Sequence, residues 1–217
     1  MILQKTDWTK YYQSPFRASA LTRKITCATI IKMLKKHIHG LKNMSLIELG
    51  GANSAFLEAF IRELEPRSYT IIDNNCTGLE KTRQRIRPDD PVHLLNRDLL
   101  NWKPDIPEAD LVISTGLIEH FDSHGTAAMI RAHFDLARPE GHVLMTFPTP
   151  TIMYRTARMI AEQLKVWIFH DERPLSLEEV RKTAGMYGNM LGCGIIRPIV
   201  LTQGIMLFRK TGNFRTR

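Results

Sequence analysis

The stretch Ser45–Phe60, SLIELGGANSAFLEAF, constrains the fold more than any other part of the chain. A short apolar run, Leu46–Leu49, enters a glycine turn at Gly50-Gly51. It leaves through Asn53 and Ser54 into a segment whose Phe56, Leu57 and Phe60 recur at helical spacing. The order is strand, tight turn, helix, with the helix N-terminus aimed at whatever sits over the turn. The same alternation continues downstream. Strands are expected at Leu46–Leu49, Tyr69–Ile72, Val92–Leu95, Leu111–Ser114 and Val143–Phe147, with helices at Ala55–Leu64, Gly78–Ile86 and Thr126–Ala137. Short apolar strands bounded by turn residues are what a parallel sheet covered on both faces requires.

The last two strands are expected at Gly194–Val200 and Ile205–Phe208, around a turn at Thr202-Gln203-Gly204. A parallel crossover needs a dozen or more residues, so this pair is antiparallel. The predicted fold class is therefore α/β: a doubly wound, mostly parallel sheet ending in an antiparallel hairpin, with N-terminal helices before it. Dinucleotide-binding folds usually stay parallel throughout. Between strands, the segment 96–109 carries Pro104 and Pro107 and reads as loop. Ile152–Leu164 is amphipathic, and Ser176 with Glu179 forms a capping box ahead of a helix at Leu177–Ala184.

Ahead of the sheet, Trp8, Tyr11 and Tyr12 give one aromatic helical face, read first as a lid docked on the core and, compatibly, as a cover over an acceptor pocket, and closed by a break at Ser14-Pro15. A second helix runs from about Ser19 to His39, with Leu21, Ile25, Ala28, Ile31, Leu34 and Ile38 as its apolar stripe and Gly40 as its cap. Residues 1–44 are thus expected to be a helical cap on a core of residues 45–217, within one structural domain. A chain of 217 residues buries roughly 70% of its unfolded surface.

Composition narrows the setting. No apolar run approaches the ~20 residues of a membrane span, and MILQKTDWTKYY lacks the apolar core of a signal peptide. Three scattered cysteines, Cys27, Cys76 and Cys193, form no framework and suit a reducing cytoplasm. The net charge of +8 and pI near 9.6 favour encounter with anionic partners, but the basic residues are dispersed and read mainly as a solvated surface.

The turn ELGGANS lacks the Gly-Lys-Ser/Thr ending of a phosphate loop. Alanines at 52 and 55 also break the dinucleotide fingerprint, which needs bare backbone against a diphosphate. A ligand without phosphate tolerates them better. Asp73 closes the strand YTIID about 20 residues beyond the turn, where an acid accepts hydrogen bonds from both hydroxyls of an unphosphorylated ribose, with Asn74 beside it. The competing structural role for Asp73 is an exposed acid capping the next helix. Asp98 in NRDLL can face an adenine amine, with the Leu99 amide offered to a ring nitrogen; a turn-forming role suits Asp98 equally well.

The succession ELGGANS, YTIIDNN, NRDLL, ADLVISTGLIEHF and ARPEGHVLMTFPTP resembles the Rossmann-like class I S-adenosylmethionine-dependent methyltransferases, in their small type-11 flavour, over about Ser45 to Pro150. The family pattern E/D-x-G-x-G-x-G is matched at Glu48 and Gly50 and departs at Ala52 and Ser54. The resemblance implies that Gly50, Gly51 and the backbone near Asn53 line the methionine part of S-adenosyl-L-methionine. It also implies that Glu48 supports the turn, that Asp73 holds the ribose and Asp98 with Leu99 the adenine, and that Ser114 and Thr115 pass beneath the methionine portion.

The methyl of a sulfonium is already electrophilic, so such an enzyme chiefly aligns an acceptor and excludes water, and a hydroxyl acceptor also gains from a base. His120, just past the fourth strand, is the candidate base, with Glu119 to orient it or take a proton; capping of the next helix is the structural alternative for both. Related metal-assisted enzymes carry a further glutamate at the position of Gly116, so no metal is expected here unless His124, His133 or His170 compensates. In WIFHDER, Trp167 and Phe169 can form apolar walls of an acceptor pocket and His170, Asp171, Glu172 and Arg173 its polar groups; a surface loop with a buried aromatic anchor is the structural alternative, favoured for any one residue.

The resulting expectation is methyl transfer to a small-molecule, glycan or lipid-linked acceptor, first at oxygen and second at nitrogen. An RNA acceptor is the alternative suggested by the charge, although no RNA-binding module is present. A non-catalytic cofactor-binding subunit is the alternative suggested by Ala52 and Ser54.

Overall fold

The computed structural model describes residues 5–13, 19–197 and 202–212. Seven strands form one sheet: β1 (Ser45–Leu49), β2 (Ser68–Asp73), β3 (Val92–Asn96), β4 (Ala109–Thr115), β5 (Ala137–Pro148), β6 (Gly188–Ile196) and β7 (Gln203–Lys210). Their order is β3-β2-β1-β4-β5-β7-β6. The first five pair in parallel, and β7 runs antiparallel to both β5 and β6. The chain reverses its direction of winding between β1 and β4, which opens a crevice beyond the carboxyl ends of those strands.

Helices α1 (Trp8–Gln13), α2 (Ser19–His37), α3 (Leu57–Leu64), α4 (Cys76–Arg83), α5 (Ser123–Leu136), α6 (Ile152–Gln163) and α7 (Leu177–Ala184) surround the sheet. Strand alternation sends Ile72, Val112 and Phe147 into one core with Phe134 of α5 and Val180 of α7. It sends Ile71, Ile113 and Leu207 into the other, with Leu34 of α2 and Phe60 of α3. Among the described residues, no helix is long and apolar enough to cross a membrane.

Element boundaries move where side chains take over from backbone. Helix α3 starts at Leu57 rather than Ala55, because Asn53 has φ 49° and the Ser54 hydroxyl accepts from the Phe56 amide. Helix α4 starts at Cys76, capped by the Asn75 side chain, so Gly78 lies inside it. Helix α5 starts at Ser123 under an Asp122 cap, which leaves Glu119 and His120 in a separate 3-10 turn, Ile118–His120. Strand β5 begins at Ala137, ahead of the expected Val143.

The buried side of α2 is Thr26, Ile30, Ile31 and Leu34, continued by Ile38 just past its end, whereas Leu21 is 53% exposed and Ala28 faces solvent. Thr26 masks this stripe in the sequence: its hydroxyl is buried because it donates to Gln203. At α7, Ser176 accepts from the Glu179 amide, but the Glu179 carboxylate pairs with Arg173 at 2.8 Å instead of reaching back. Gln203 and Gly204 belong to β7 rather than to a turn, and Gly204 is required there because a Cβ would lie 2.7 Å from the Phe147 ring. The expected break at Ser14-Pro15 and the end of the strand expected at Gly194–Val200 lie outside the described residues.

Candidate active site

The turn after β1 is held from beneath by a buried carboxylate. Glu48, 1% exposed, accepts from the Ser54 hydroxyl at 2.9 Å and from the Tyr69 hydroxyl. Burial pushes its carboxyl up to about 7, against the two hydrogen bonds. Ser54, where a glycine is usual, is thus the donor that Glu48 needs. Ala52, the other departure, seats its methyl on a compensating glycine: a Cβ on Gly78 would lie 2.6 Å from that of Ala52 and 2.8 Å from the Tyr12 ring. Gly50 keeps its glycine for two reasons, φ of 68° and a Leu117 methyl 2.8 Å from where a Cβ would sit.

Asp73 joins this turn to the next one. Its carboxylate accepts from the Ala52 amide at 3.0 Å and the Asn75 amide at 2.8 Å. It is 9% exposed, and burial raises its carboxyl above the usual range against these amide bonds. Arg85 clamps the far side of the turn, donating to the Ser54 carbonyl at 2.7 Å while pairing with Glu58 at 2.6 Å. Nothing in the sequence distinguished Arg85 from its neighbours Arg83 and Arg87.

Above the turn lies a cavity of about 960 Å³, lined by the ends of β1, β2 and β4, by α1, and by residues of the 167–173 segment. Trp8, Tyr11 and Tyr12 of α1 line it on one side, and Trp167 and Phe169 on another. The rings meet: Trp8 lies 5.8 Å from Phe169 and 4.8 Å from the His120 ring, edge to face. Thr6 fixes this aromatic cover by donating its amide, at 3.1 Å, and its hydroxyl to Asp171.

Asp171 also accepts from Nδ1 of His120 at 3.0 Å. Burial alone would lower the His120 imidazolium, but the Asp171 bond and the charge of Glu119 raise it instead. Asp171 falls well below the usual carboxylate range, its partial burial outweighed by the bonds from His120 and Thr6. Glu119, 2% exposed, is pushed up to about 8, chiefly by burial. Its Oε2 has no hydrogen-bond partner. Glu172, which accepts from the Tyr154 hydroxyl, is raised by burial as well. Glu119, His120 and Glu172 each bring a donor atom within 4.8 Å of the other two. This trio has the spacing to hold a cation or, without one, to share protons. Glu172 is its third member, not His124, His133 or His170.

No family model matches the sequence, and no curated protein matches it. Solved structures do match the fold. Magnesium protoporphyrin IX methyltransferase (ChlM) from Synechocystis PCC 6803 with bound SAH aligns with a TM-score of 0.74 at 14% identity, over 94% of this chain and 93% of that one. The N-methyltransferase NodS from Bradyrhizobium japonicum WM9, in complex with S-adenosyl-L-homocysteine, aligns at 0.66 and 14% identity over 86% of each chain. A third is the Burkholderia thailandensis 1,6-didemethyltoxoflavin-N1-methyltransferase with its acceptor and S-adenosylhomocysteine. It aligns at 0.69 and 12% identity, over 95% of this chain and 86% of that one. The chain has the class I methyltransferase fold.

Within that methyltransferase fold, the cavity gathers Glu48, Gly50, Asn53, Asp73, Asn74, Asp98, Leu99, Thr115, Glu119 and His120. Two expected residues are not among its walls. Ser114 is fully buried, its hydroxyl within 2.8 Å of Nε2 of His133, so it ties β4 to α5. Gly51 faces inward, where a Cβ would lie 2.8 Å from both Glu48 and Ile71; it permits close packing beneath the turn. Asp98 is exposed and binds the Leu100 amide and the Asn101 side chain, the turn-forming role. Asp73 is not the exposed cap weighed from the sequence, since Asn75 caps α4 and Asp73 is buried. Thr6 and Tyr154 carried no sequence signal, because a lone Thr and a Tyr on an amphipathic helix look like packing residues.

Proposed function

We propose that the protein transfers a methyl group from S-adenosyl-L-methionine to a small-molecule, glycan or lipid-linked acceptor, at oxygen. The observation that carries this reading is the coupling of the two turns through Asp73, with the cavity directly above. One carboxylate braces the Ala52 and Asn75 amides and still has lone pairs for ribose hydroxyls. The cavity, at about 960 Å³, has room for a nucleoside-sized cofactor and an acceptor together. The residues that depart from the glycine pattern are structurally compensated, by Glu48 beneath Ser54 and by Gly78 beneath Ala52, which supports cofactor binding over a vestigial site.

When bound, the cofactor supplies an electrophilic methyl. The chain's own residues do the rest. Gly50, Asn53 and Thr115 position the methionine end, Asp73 and Asn74 the ribose, and Leu99 the adenine. His120 takes the acceptor's proton at Nε2, while Asp171 holds Nδ1–H and steadies the imidazolium that forms. Glu119 lies 3.9 Å from Nε2, close enough to exchange a proton with it. Helix α1 serves as the cap, its rings keeping water from the reacting atoms.

Labelled methyl transfer tests the reading. Incubation with S-adenosyl-L-methionine carrying a labelled methyl, against soluble-metabolite, glycan, lipid and RNA fractions, should label one of the first three in the wild type and far less with His120→Ala. Label appearing only in RNA would overturn the acceptor class.

A further inference from the structure

The apolar surface of the protein is concentrated at one place, beside the cavity. Twelve large hydrophobic side chains are exposed among the described residues, and seven of them fall between 152 and 168: Ile152, Met153, Met159, Ile160, Leu164, Val166 and Ile168. That clustering is not what scattered surface leucines look like. On α6 the exposed Ile152, Met153, Met159 and Ile160, with Leu164 at the C-cap, share one side at helical spacing, a side that Thr156 and Gln163 interrupt. Ile152 is 86% and Leu164 67% exposed. The opposite side carries Tyr154, 2% exposed, which packs against Trp167 and bonds Glu172 in the cavity wall. Helix α6 therefore presents its apolar face outward and a polar-tipped anchor inward.

Charge selects the occupant. Within 152–168 the charged residues are Arg155, Arg158, Lys165 and Glu162, and Glu162 is already paired with Arg158 at 2.8 Å. Arg155 and Lys165 are exposed beside the apolar arc, on a chain of net charge +8. A second copy docking on this face would set like charges against like. An anionic lipid surface neutralises them while its acyl region takes the apolar side chains. The 12-residue helix spans about 18 Å, too short to cross a bilayer, and suits a position in the plane of the interface.

We infer that α6 and the segment to Ile168 seat the protein on an anionic membrane surface, with the cavity beside it drawing an amphiphilic acceptor from the lipid. The acceptor part rests on the methyl-transfer reading; the docking part does not. Sedimentation with vesicles of phosphatidylglycerol and phosphatidylcholine, compared with phosphatidylcholine alone, tests the docking. The wild type should partition onto the anionic vesicles and much less onto the neutral ones. Ile160→Asp with Leu164→Asp, both at exposed positions, should lower the partition coefficient about 100-fold or more, since each removes a side chain inserted into the apolar phase. Arg155→Glu with Lys165→Glu should abolish the preference for anionic lipid. Binding of S-adenosyl-L-methionine, followed by calorimetry on the same samples, should be unchanged in both variants, so a failure of docking is separable from a failure of the cofactor reading. Absence of wild-type partitioning, partitioning indifferent to both variants, or a wild-type dimer that the Asp variants convert to monomer would each overturn the inference.

Discussion

The compensation between Ala52 and Gly78 makes a quantitative prediction. Gly78 is inside α4 at an ordinary helical φ, so Gly78→Ala should by propensity alone stabilise the helix by about 1 kcal/mol. The structure opposes this. The new Cβ would arrive 2.6 Å from the Ala52 Cβ, which is fixed to the backbone of the turn, and 2.8 Å from the Tyr12 ring. Overpacking of this kind costs about 1–3 kcal/mol, so the single variant should lose about 1 kcal/mol net. Ala52→Gly alone should also lose about 1–2 kcal/mol, from one buried methyl and a looser turn. The double variant moves the methyl from one side of the contact to the other and should return to within about 1 kcal/mol of the wild type. Urea unfolding of the four proteins, with m unchanged, gives the coupling energy, expected at about 1–3 kcal/mol. Additivity within about 0.3 kcal/mol, or a Gly78→Ala protein more stable than the wild type, would refute the explanation of how this turn does without its second glycine.

Three further outcomes are expected. Asp171→Asn should lower the rate of methyl transfer by about 10²-fold or more while leaving cofactor affinity within a few-fold, because it orients His120 and touches no cofactor residue; steady-state kinetics beside calorimetry separates the two. Arg85→Ala should destabilise the protein by about 1–2 kcal/mol in chemical unfolding, since it removes a charged donor from the Ser54 carbonyl together with the Glu58 pair. Glu48 and Glu119 should each take stability away as pH rises from about 4.5 to 8: they keep their protons to about 7 and about 8 when folded, whereas unfolded glutamates release them near 4.3. At these two groups the folded state binds more protons in that window, with His133, held down to about 4 by burial, opposing them below about 6.5, and Glu48→Gln should remove the Glu48 part of the slope in unfolding midpoints measured across it.

The fold was legible in the sequence wherever one periodicity governed. Strands β1, β2, β4 and β5 alternate between two buried faces in short apolar runs, and the spacing of the last two strands forced an antiparallel pair. The α2 stripe misled because Thr26 reaches the core through a bond to Gln203, a residue 177 positions away, which no local pattern can announce. The same limit applies at the site. Asp73 and the Gly50 turn were readable because strand ends and positive φ impose residue types at fixed places. Ser114 was misplaced because a polar residue at a strand end looks like a ligand group until its partner His133 is brought beside it by α5. The His120–Asp171–Thr6 chain joins three segments up to 165 residues apart, so His120 and Asp171 appeared only as separate polar residues and Thr6 not at all.

The most direct test of the central claim is calorimetric titration with S-adenosyl-L-methionine of the wild type and Asp73→Ala. One cofactor per chain is expected, with affinity at least tenfold weaker in the variant, as befits loss of a carboxylate that would accept from ribose hydroxyls and that braces two turns. Absence of wild-type binding, or equal affinity in the two proteins, would contradict the account.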